Sequence, residues 1–454
     1  MRLKSDPQRY FQWSTGSSAK IVREYEEKFK GISDVLDANP QVLELAAADL
    51  RKLSTGGRKG RKATYTAENL LRALIVHQIE GTALRETMVR IAHSLFLQDF
   101  LRLGPRPVMD FTLIDRAFNA IRPATWKKIN DVLSAHAVAE GRLTRSTLRV
   151  DTTVVESNIH WPTDSSLLWD SWRVAYRILA KAREELPGAV EGRFHRRKVK
   201  KLHLYITRYM PSTSKKRQRS VRAKQKQYLA QVERILRAAH EFVEATKKCP
   251  DLRLWALGSE LASYLPSMRK VLAVAERAWL HGEKVPAAER IFSIFEGHTE
   301  LIKRGRRHKP VEFGHMVLLG QTKERFITQY DVMERKVPDC RLPQAILDRH
   351  EESFGAPPET LVADKGFRGD ADAMEKIRER VNVVAIPERL KDYADESFVA
   401  LQHFRAGIEG TISVLKRAFG LLRSRYRGFK NFVSNVALGV LCHNLVLLSR
   451  PPGG

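Results

Sequence analysis

An acidic residue inside a β-branched stretch constrains this chain more than any other feature. The stretch LRVDTTVVES runs from residue 148 to 157 and carries Asp151. A run rich in Val and Thr is typical of a central β-strand. Removing an isolated carboxylate from water is strongly unfavourable unless the group is paired or bound to a cation. The sequence therefore predicts a positively charged partner for Asp151.

The stretch LVADKGF presents a second acid in the same manner, because a short apolar strand ends at Asp364. Ligands of α/β proteins bind at the carboxyl ends of strands. Two carboxylates that meet there repel each other unless one is protonated or a cation lies between them. Carboxylate oxygens, water and phosphate are the ligands that Mg²⁺ prefers. We therefore expect a Mg²⁺ site at this edge of the sheet.

A third acid is expected from the helical segment FRAGIEGTISVLKRAF. Arg405, Glu409 and Lys416 fall within about 40° of one another at ~100° per residue, at the border of an apolar stripe. Gly407 and Gly410 each disfavour a helix by about 1 kcal/mol, which predicts that the backbone approaches another group closely. Taken alone, an ordinary row of surface ion pairs explains this helix equally well.

The charge of the chain indicates a polyanionic partner. Lys and Arg number 79 against 52 Asp and Glu in 454 residues, a formal charge of +27. Residues 193–226 hold 14 of these cations and no acid. Such a run is typical of phosphate contact, although a solvated surface, a basic ordinary enzyme or a peripheral membrane protein remain alternatives. The candidate DNA contacts in the run are Lys198, Lys200, Lys215, Lys216, Arg217 and Arg219.

Two further observations concern the cellular compartment. Cys249, Cys340 and Cys442 are far apart, which predicts neither a disulfide framework nor a zinc knuckle. The N-terminus has no signal-peptide pattern, and no run approaches the ~20 apolar residues that span a bilayer. We expect a cytoplasmic protein without a membrane contact.

The chain is expected to contain three parts. Residues 1–63 form a helical arm and a basic linker, and residues 64–145 form an all-helical DNA-binding domain. A helix-turn-helix and a plain pair of packed helices are both compatible with residues 108–133. Residues 146–450 form an α/β catalytic domain with a mixed sheet and a basic helical insertion at 163–285. After residue 290, short apolar runs, including RIFSIF, predict antiparallel strands with a turn at Gly305.

The order of strands, helices and acids is that of the ribonuclease H-like nuclease core. In the segments VDTTVVESNIHWPTDSSLL, VADKGF and RAGIEGTISVLKRAFGLLRSRYRGF, the chain resembles the DDE insertion-sequence transposases, and more narrowly the ISNCY group. The resemblance implies that Asp151, Asp364 and Glu409 form a metal triad. The family signature Tyr-x2-Arg-x3-Glu-x6-Lys is matched by Arg405, Glu409 and Lys416, whereas Gln402 stands in the tyrosine place.

The expected activity is cutting and joining of double-stranded DNA at the ends of an insertion sequence. Two Mg²⁺ ions about 4 Å apart, for which Mn²⁺ substitutes, would assist this chemistry, while Arg405 and Lys416 hold phosphates. The expected assembly is a homodimer on DNA. The alternatives are a domesticated DNA-binding protein that has lost strand transfer, and a structure-directed nuclease or RNA-processing enzyme on the same core.

Overall fold

In the computed structural model, the described residues are 3–5, 14–53, 63–303, 309–388 and 393–451. The chain divides into two compact units. The first comprises Met1–Ser157 and Gly314–Gly454, and the second comprises Asn158–Phe313. Most of the expected basic linker, at 54–62, and the expected turn at Gly305 lie outside the described residues.

Both units are mainly helical, and the strands belong mostly to the first. In chain order, the α-helices of the described residues, α1 to α15, are Lys20–Ala38, Pro40–Leu50, Ala67–Glu80, Leu84–Ala92, Leu95–Phe100, Phe111–Ala120, Pro123–Ala139, Asp164–Glu185, Arg196–Tyr209, Lys215–Thr246, Leu252–Leu280, Pro343–Phe354, Ala371–Arg378, Glu396–Ala418 and Phe429–Leu448. The strands, β1 to β6, are Thr147–Glu156, Glu300–Lys303, Val311–Gln321, Ile327–Val332, Thr360–Val362 and Val383–Ala385. Short 3-10 helices occur at Arg51–Leu53, Ala287–Glu289, Asp339–Arg341 and Lys365–Phe367.

The first unit contains a mixed sheet, which confirms the α/β class. Strand β1 pairs antiparallel with β3, and β3 pairs antiparallel with β4. On its other edge β1 pairs parallel with β5, and β5 pairs parallel with β6. The sheet has six strands in the order β2-β3-β1-β5-β6, and β4 also pairs with β3. The strand that carries Asp151 is therefore central, as its β-branched sequence predicts.

One strand prediction was wrong. The run RIFSIF, at residues 290–295, contains no strand. The Oγ atom of Ser293 accepts hydrogen bonds from the backbone N–H groups of Phe295 and Glu296. Because a short polar side chain satisfies these donors locally, the segment forms a turn and does not join a ladder.

The helix ends largely follow the capping chemistry of the sequence. Thr66 caps α3 through a reciprocal capping box with Asn69, and Gly81 ends the helix in a left-handed conformation. Asp110 caps α6, and Pro123 opens α7. Side-chain oxygens thus satisfy N–H groups that a helix leaves free in its first turn.

The N-terminal helices share one hydrophobic core with the sheet and α15. This core includes Leu70, Phe118 and Trp126 together with Val317 and Leu438. Residues 64–145, expected as a separate domain, therefore fall within the same compact unit as the sheet. An apolar face in the sequence of a helix predicts that this face is buried. It does not identify the element that packs against the face.

The second unit has a core of its own. Helices α8 to α11 pack around buried side chains that include Trp172, Tyr228, Val232, Leu261 and Met268. Thr163 caps α8 with a second capping box. This unit contains the whole of the expected insertion, 163–285, and extends to Phe313.

Helix α15 corrects the expectation that no segment approaches the length of a membrane span. It has 20 residues with a mean hydropathy of 1.6, enough to cross a bilayer by length and composition. However, 78% of its apolar window is buried inside the protein. Its Asn444 side chain also bonds to Asn130 and to the backbone of Ile327. Burial in the core accounts for the apolar sequence of α15.

A buried arginine attaches α14 to the sheet. Arg149 on β1 is 3% exposed, and its Nε and Nη2 donate to Oε1 of Gln321 on β3. Its Nη1 donates to the backbone carbonyl of Phe404 on α14. Gln321 in turn donates to Oγ1 of Thr411, one more residue of α14. We call this set of contacts the Arg149 clamp.

The Arg149 clamp explains one of the two helical glycines. A Cβ atom at Gly407 would lie 2.5 Å from Nη1 of Arg149, whereas a Cβ atom at Gly410 would meet nothing within 4 Å. The predicted close approach of the backbone therefore holds at Gly407 alone.

These surroundings give opposite predictions for two substitutions. The hydrogen bonds of Arg149 hinder its displacement, so Gly407→Ala should lower the free energy of unfolding by about 1–3 kcal/mol. Gly410→Ala should raise it by up to about 1 kcal/mol, because only helix propensity changes. Urea unfolding of both variants tests this difference. Stabilisation by both would show that Arg149 does not constrain α14.

Candidate active site

Asp151 lies within β1, opposite Leu319 of β3. Its side chain is 15% exposed, and its Oδ1 accepts a hydrogen bond of 2.7 Å from the backbone N–H of Thr152. The pairing of β1 with β5 stops at Arg149, although β1 continues along β3. Asp151 therefore stands just past the point where one neighbouring strand ends, and not at the end of its own strand.

Asp364 occupies the equivalent position two residues past the end of β5. In the parallel register Arg149 is opposite Val362. Asp151 follows Arg149 by two residues, and Asp364 follows Val362 by two residues. Neighbouring strands lie about 4.8 Å apart, so this register brings Asp151 and Asp364 next to each other. The Asp364 carboxylate accepts a hydrogen bond of 2.9 Å from the N–H of Gly366.

Helix α14 adds a cation and a third acid. The Nη1 atom of Arg405 lies 3.6 Å from Oδ2 of Asp151, and its Nη2 lies 3.8 Å from Oε1 of Glu409. The Glu409 side chain is 69% exposed. Arg405 is thus the positively charged partner that Asp151 requires, and it links Asp151 to Glu409. Lys416, half-buried, follows further along the same helix.

The electrostatic balance at Asp151 remains unfavourable to its charged form. Burial is the main cause that raises the pKa of Asp151 to about 6, and the negative charges of Asp364 and Glu409 raise it further. The Thr152 hydrogen bond and the Arg405 charge lower it. One guanidinium therefore compensates the three acids only in part.

Gln402, in the tyrosine place of the family signature, is a polar contact between α14 and the sheet. It is buried, and its Nε2 donates to the carbonyls of Ala385 at 2.8 Å and Ala363 at 3.4 Å. Ala363 directly precedes Asp364. An amide that bonds to two strand ends thus positions α14 where the signature has an aromatic side chain.

A fourth acid, Asp339, was missed by reasoning from sequence. Its Oδ2 lies 3.4 Å from Oγ1 of Thr152, the residue after Asp151. It begins a 3-10 helix in the segment KVPDCR. A Pro-Asp pair usually marks a turn, so no strand or helix periodicity pointed to this residue.

The other candidate DNA contacts lie in the second unit. Lys198 and Lys200 are on α9, and Lys215, Lys216, Arg217 and Arg219 are on the first turns of α10. All six are exposed, and within the part of the chain described here none forms an ion pair. They are available to a partner with negative charge.

The donor chemistry of the acids fits a hard divalent cation. Asp151, Asp364 and Glu409 provide only carboxylate oxygens, and the burial of Asp151 makes a compensating charge favourable. Among the described residues, no three or more His, Cys, Asp or Glu side chains lie close enough to hold an ion. Arg405 lies between two of the acids, so binding of a metal requires its guanidinium to move.

Comparison with known proteins identifies one domain. The family model described as Transposase DDE domain matches residues 294–445, a segment that contains Asp364 and Glu409 but not Asp151. Searches among curated proteins and among solved structures found no match. The match to residues 294–445 supports a DDE insertion-sequence transposase.

Proposed function

We propose that the chain is a metal-dependent DNA transposase, a polynucleotidyl transferase and endonuclease that cuts and joins strands at the ends of its insertion sequence. The observation that carries this proposal is the common register of Asp151 and Asp364, two residues beyond the paired Arg149 and Val362. Arg405 connects Asp151 to Glu409. The same constellation supports Asp151, Asp364 and Glu409 as the catalytic triad.

A ribonuclease H-like core is part of the proposal. An antiparallel set, β1-β3-β4, and a parallel set, β1-β5-β6, meet at β1. The second unit follows β1 in the chain and ends at Phe313, the third residue of β3. This arrangement supports a nuclease core with a helical insertion after its first strand, as the ISNCY resemblance implies.

Asp151, Asp364 and Glu409 would hold two Mg²⁺ ions, with Mn²⁺ as a substitute. When bound, such ions activate water or a 3′ hydroxyl and stabilise a leaving oxygen. The protein supplies the carboxylates at fixed positions on β1, just past the end of β5, and on α14. Arg405, released from the acids, and Lys416 would bind phosphate oxygens of the DNA.

The partners and location follow from the charge and the family. A net charge of +27 and the exposed cations of α9 and α10 support binding to double-stranded DNA of the element ends and the target. The helices α6 and α7 are a further candidate for DNA contact. We propose a homodimer on DNA in a bacterial-type cytoplasm, without a membrane contact.

The second candidate is a domesticated DNA-binding protein without strand transfer. Such a protein has no need of the acids, whereas all three persist here. Purified protein, Mg²⁺ or Mn²⁺, and labelled DNA from the flanks of its own gene would distinguish the two functions. Strand cleavage and joining at element ends supports the transposase, and binding without cleavage in either metal supports the alternative.

We predict that Asp151→Asn, Asp364→Asn and Glu409→Gln each remove nearly all strand cleavage. Loss of one carboxylate charge weakens metal binding while the fold and DNA affinity change little. Asp372→Asn, which removes an exposed acid from the first turn of α13, is the matched control. A triad variant that cuts at the wild-type rate would exclude that residue from the site.

Replacing Arg405 or Lys416 by Ala should slow cleavage more than it weakens DNA affinity. A positioned cation acts most strongly on the charge that develops at the reacting phosphate. Single-turnover rates and equilibrium binding separate the two effects, with Arg417→Ala, an exposed neighbour on α14, as the control. Equal losses in rate and affinity would make Arg405 and Lys416 general DNA contacts.

The raised pKa of Asp151 predicts a pH-dependent effect of Asp151→Asn on stability. In the folded protein this pKa is about 6, above its ordinary value of 3.8. The charged carboxylate therefore destabilises the fold increasingly as pH rises from about 4 and fully above 6. In chelator-treated protein, Asp151→Asn should raise the free energy of unfolding by about 1–3 kcal/mol at pH 7.5 and change it little at pH 4. A difference that does not vary with pH would contradict this electrostatic account.

A further inference from the structure

The second unit contains a basic cavity on the surface of its helical hairpin. The cavity, about 440 Å³ in volume, lies between α9 and α10. One wall comes from one face of α9, between Arg197 and Tyr205. The other wall comes from Lys224 and Gln227 of α10. The charged lining consists of Arg197, Lys198, Lys201 and Lys224. A volume in the range of ligand sites, ~300–1,000 Å³, is thus combined with four converging cations.

These four cations have no acidic partners. Residues 193–226 contain no Asp or Glu, and no ion pair in the described part of the chain involves any of the four. Like charges on facing helices repel each other and destabilise the hairpin. An anion in the cavity would relieve this repulsion, so its binding is favourable beyond the contact that each cation makes.

The uncharged lining gives the cavity a fixed floor. Leu202 is 5% exposed, and the Tyr205 hydroxyl lies 2.9 Å from Oγ of Ser220 on α10. The Tyr205 ring also contacts the Tyr209 ring at a centroid distance of 4.7 Å. The contact between Tyr205 and Ser220 joins α9 to α10 and therefore holds the two cationic walls at a set separation.

We propose that this cavity is a phosphate-binding site and that a backbone phosphate of DNA occupies it. The identity of the ligand rests on the proposed DNA-processing function, whereas the site itself rests on the cavity and its cations. A phosphate accepts hydrogen bonds from several Lys and Arg side chains at once. The cavity would thus fix one position of the DNA strand on the second unit, in contrast to the exposed cations outside it, which attract DNA without a defined geometry.

The test compares two double variants that remove the same charge from the full-length protein. The cavity variant carries Lys201→Gln and Lys224→Gln and loses two positive charges of the lining. The control variant carries Arg222→Gln and Lys226→Gln and loses two exposed positive charges of the same basic run, outside the cavity. Affinity is measured for a DNA duplex from the element end across a salt series. Equilibrium dialysis with inorganic pyrophosphate is the second measurement, and thermal unfolding checks that both variants fold.

If the cavity is a DNA phosphate site, its double variant should bind the duplex about tenfold more weakly than the control variant at equal salt, a loss of ~1.4 kcal/mol. It should also lose pyrophosphate binding that the wild type and the control retain. Equal DNA affinities of the two variants would overturn the proposal. Loss of pyrophosphate binding with unchanged DNA affinity would assign the site to a free phosphate compound instead. Because Asp151, Asp364 and Glu409 are intact in both variants, cleavage at low salt reports separately on the proposed function.

Discussion

The candidate active site depends on a buried guanidinium, that of Arg149. Burial lowers the pKa of this group to about 10, so the group remains charged at neutral pH. Its hydrogen bonds among the described residues go to the Gln321 amide and the Phe404 carbonyl, not to a carboxylate. Three elements, β1, β3 and α14, are thereby joined two residues before Asp151. The positions of Arg405 and Glu409 relative to Asp151 follow from this attachment.

The Arg149 clamp and the parallel pairing of β1 with β5 together hold three acids that would otherwise repel one another. Parallel pairing sets Asp151 beside Asp364, and α14 brings Glu409 near them. Arg405 neutralises part of this charge, but the raised pKa of Asp151 shows that the compensation is incomplete. In the proposed metal-dependent enzyme, this excess of negative charge would favour binding of a cation. In the proposed transposase, the same rigidity would keep the carboxylates in place during catalysis.

Sequence reasoning identified much of the sheet but not all of the site. The β-branched run around Asp151 predicts a central strand, and the strand and helix patterns supply the three acids as candidates. The resemblance adds that these acids form a metal triad. The contacts of Arg149, Gln321 and Gln402 could not be predicted, because a polar residue in a strand or helix does not reveal its partner across the core. The packing of the N-terminal helices could not be predicted for a related reason. Apolar faces on α3, α6 and α7 predict burial, but only the tertiary structure shows that the sheet and α15 share their core.

The most direct test of this account is the location of a bound metal. Crystals of the full-length protein with DNA and Mn²⁺ would give anomalous scattering peaks at each ion. We predict a peak in contact with the carboxylates of Asp151 and Asp364, with Arg405 moved away from Asp151. Ordered DNA with Mn²⁺ bound elsewhere, or with the ion pair between Arg405 and Asp151 intact and no peak beside it, would contradict the assignment of these acids to a metal-dependent active site.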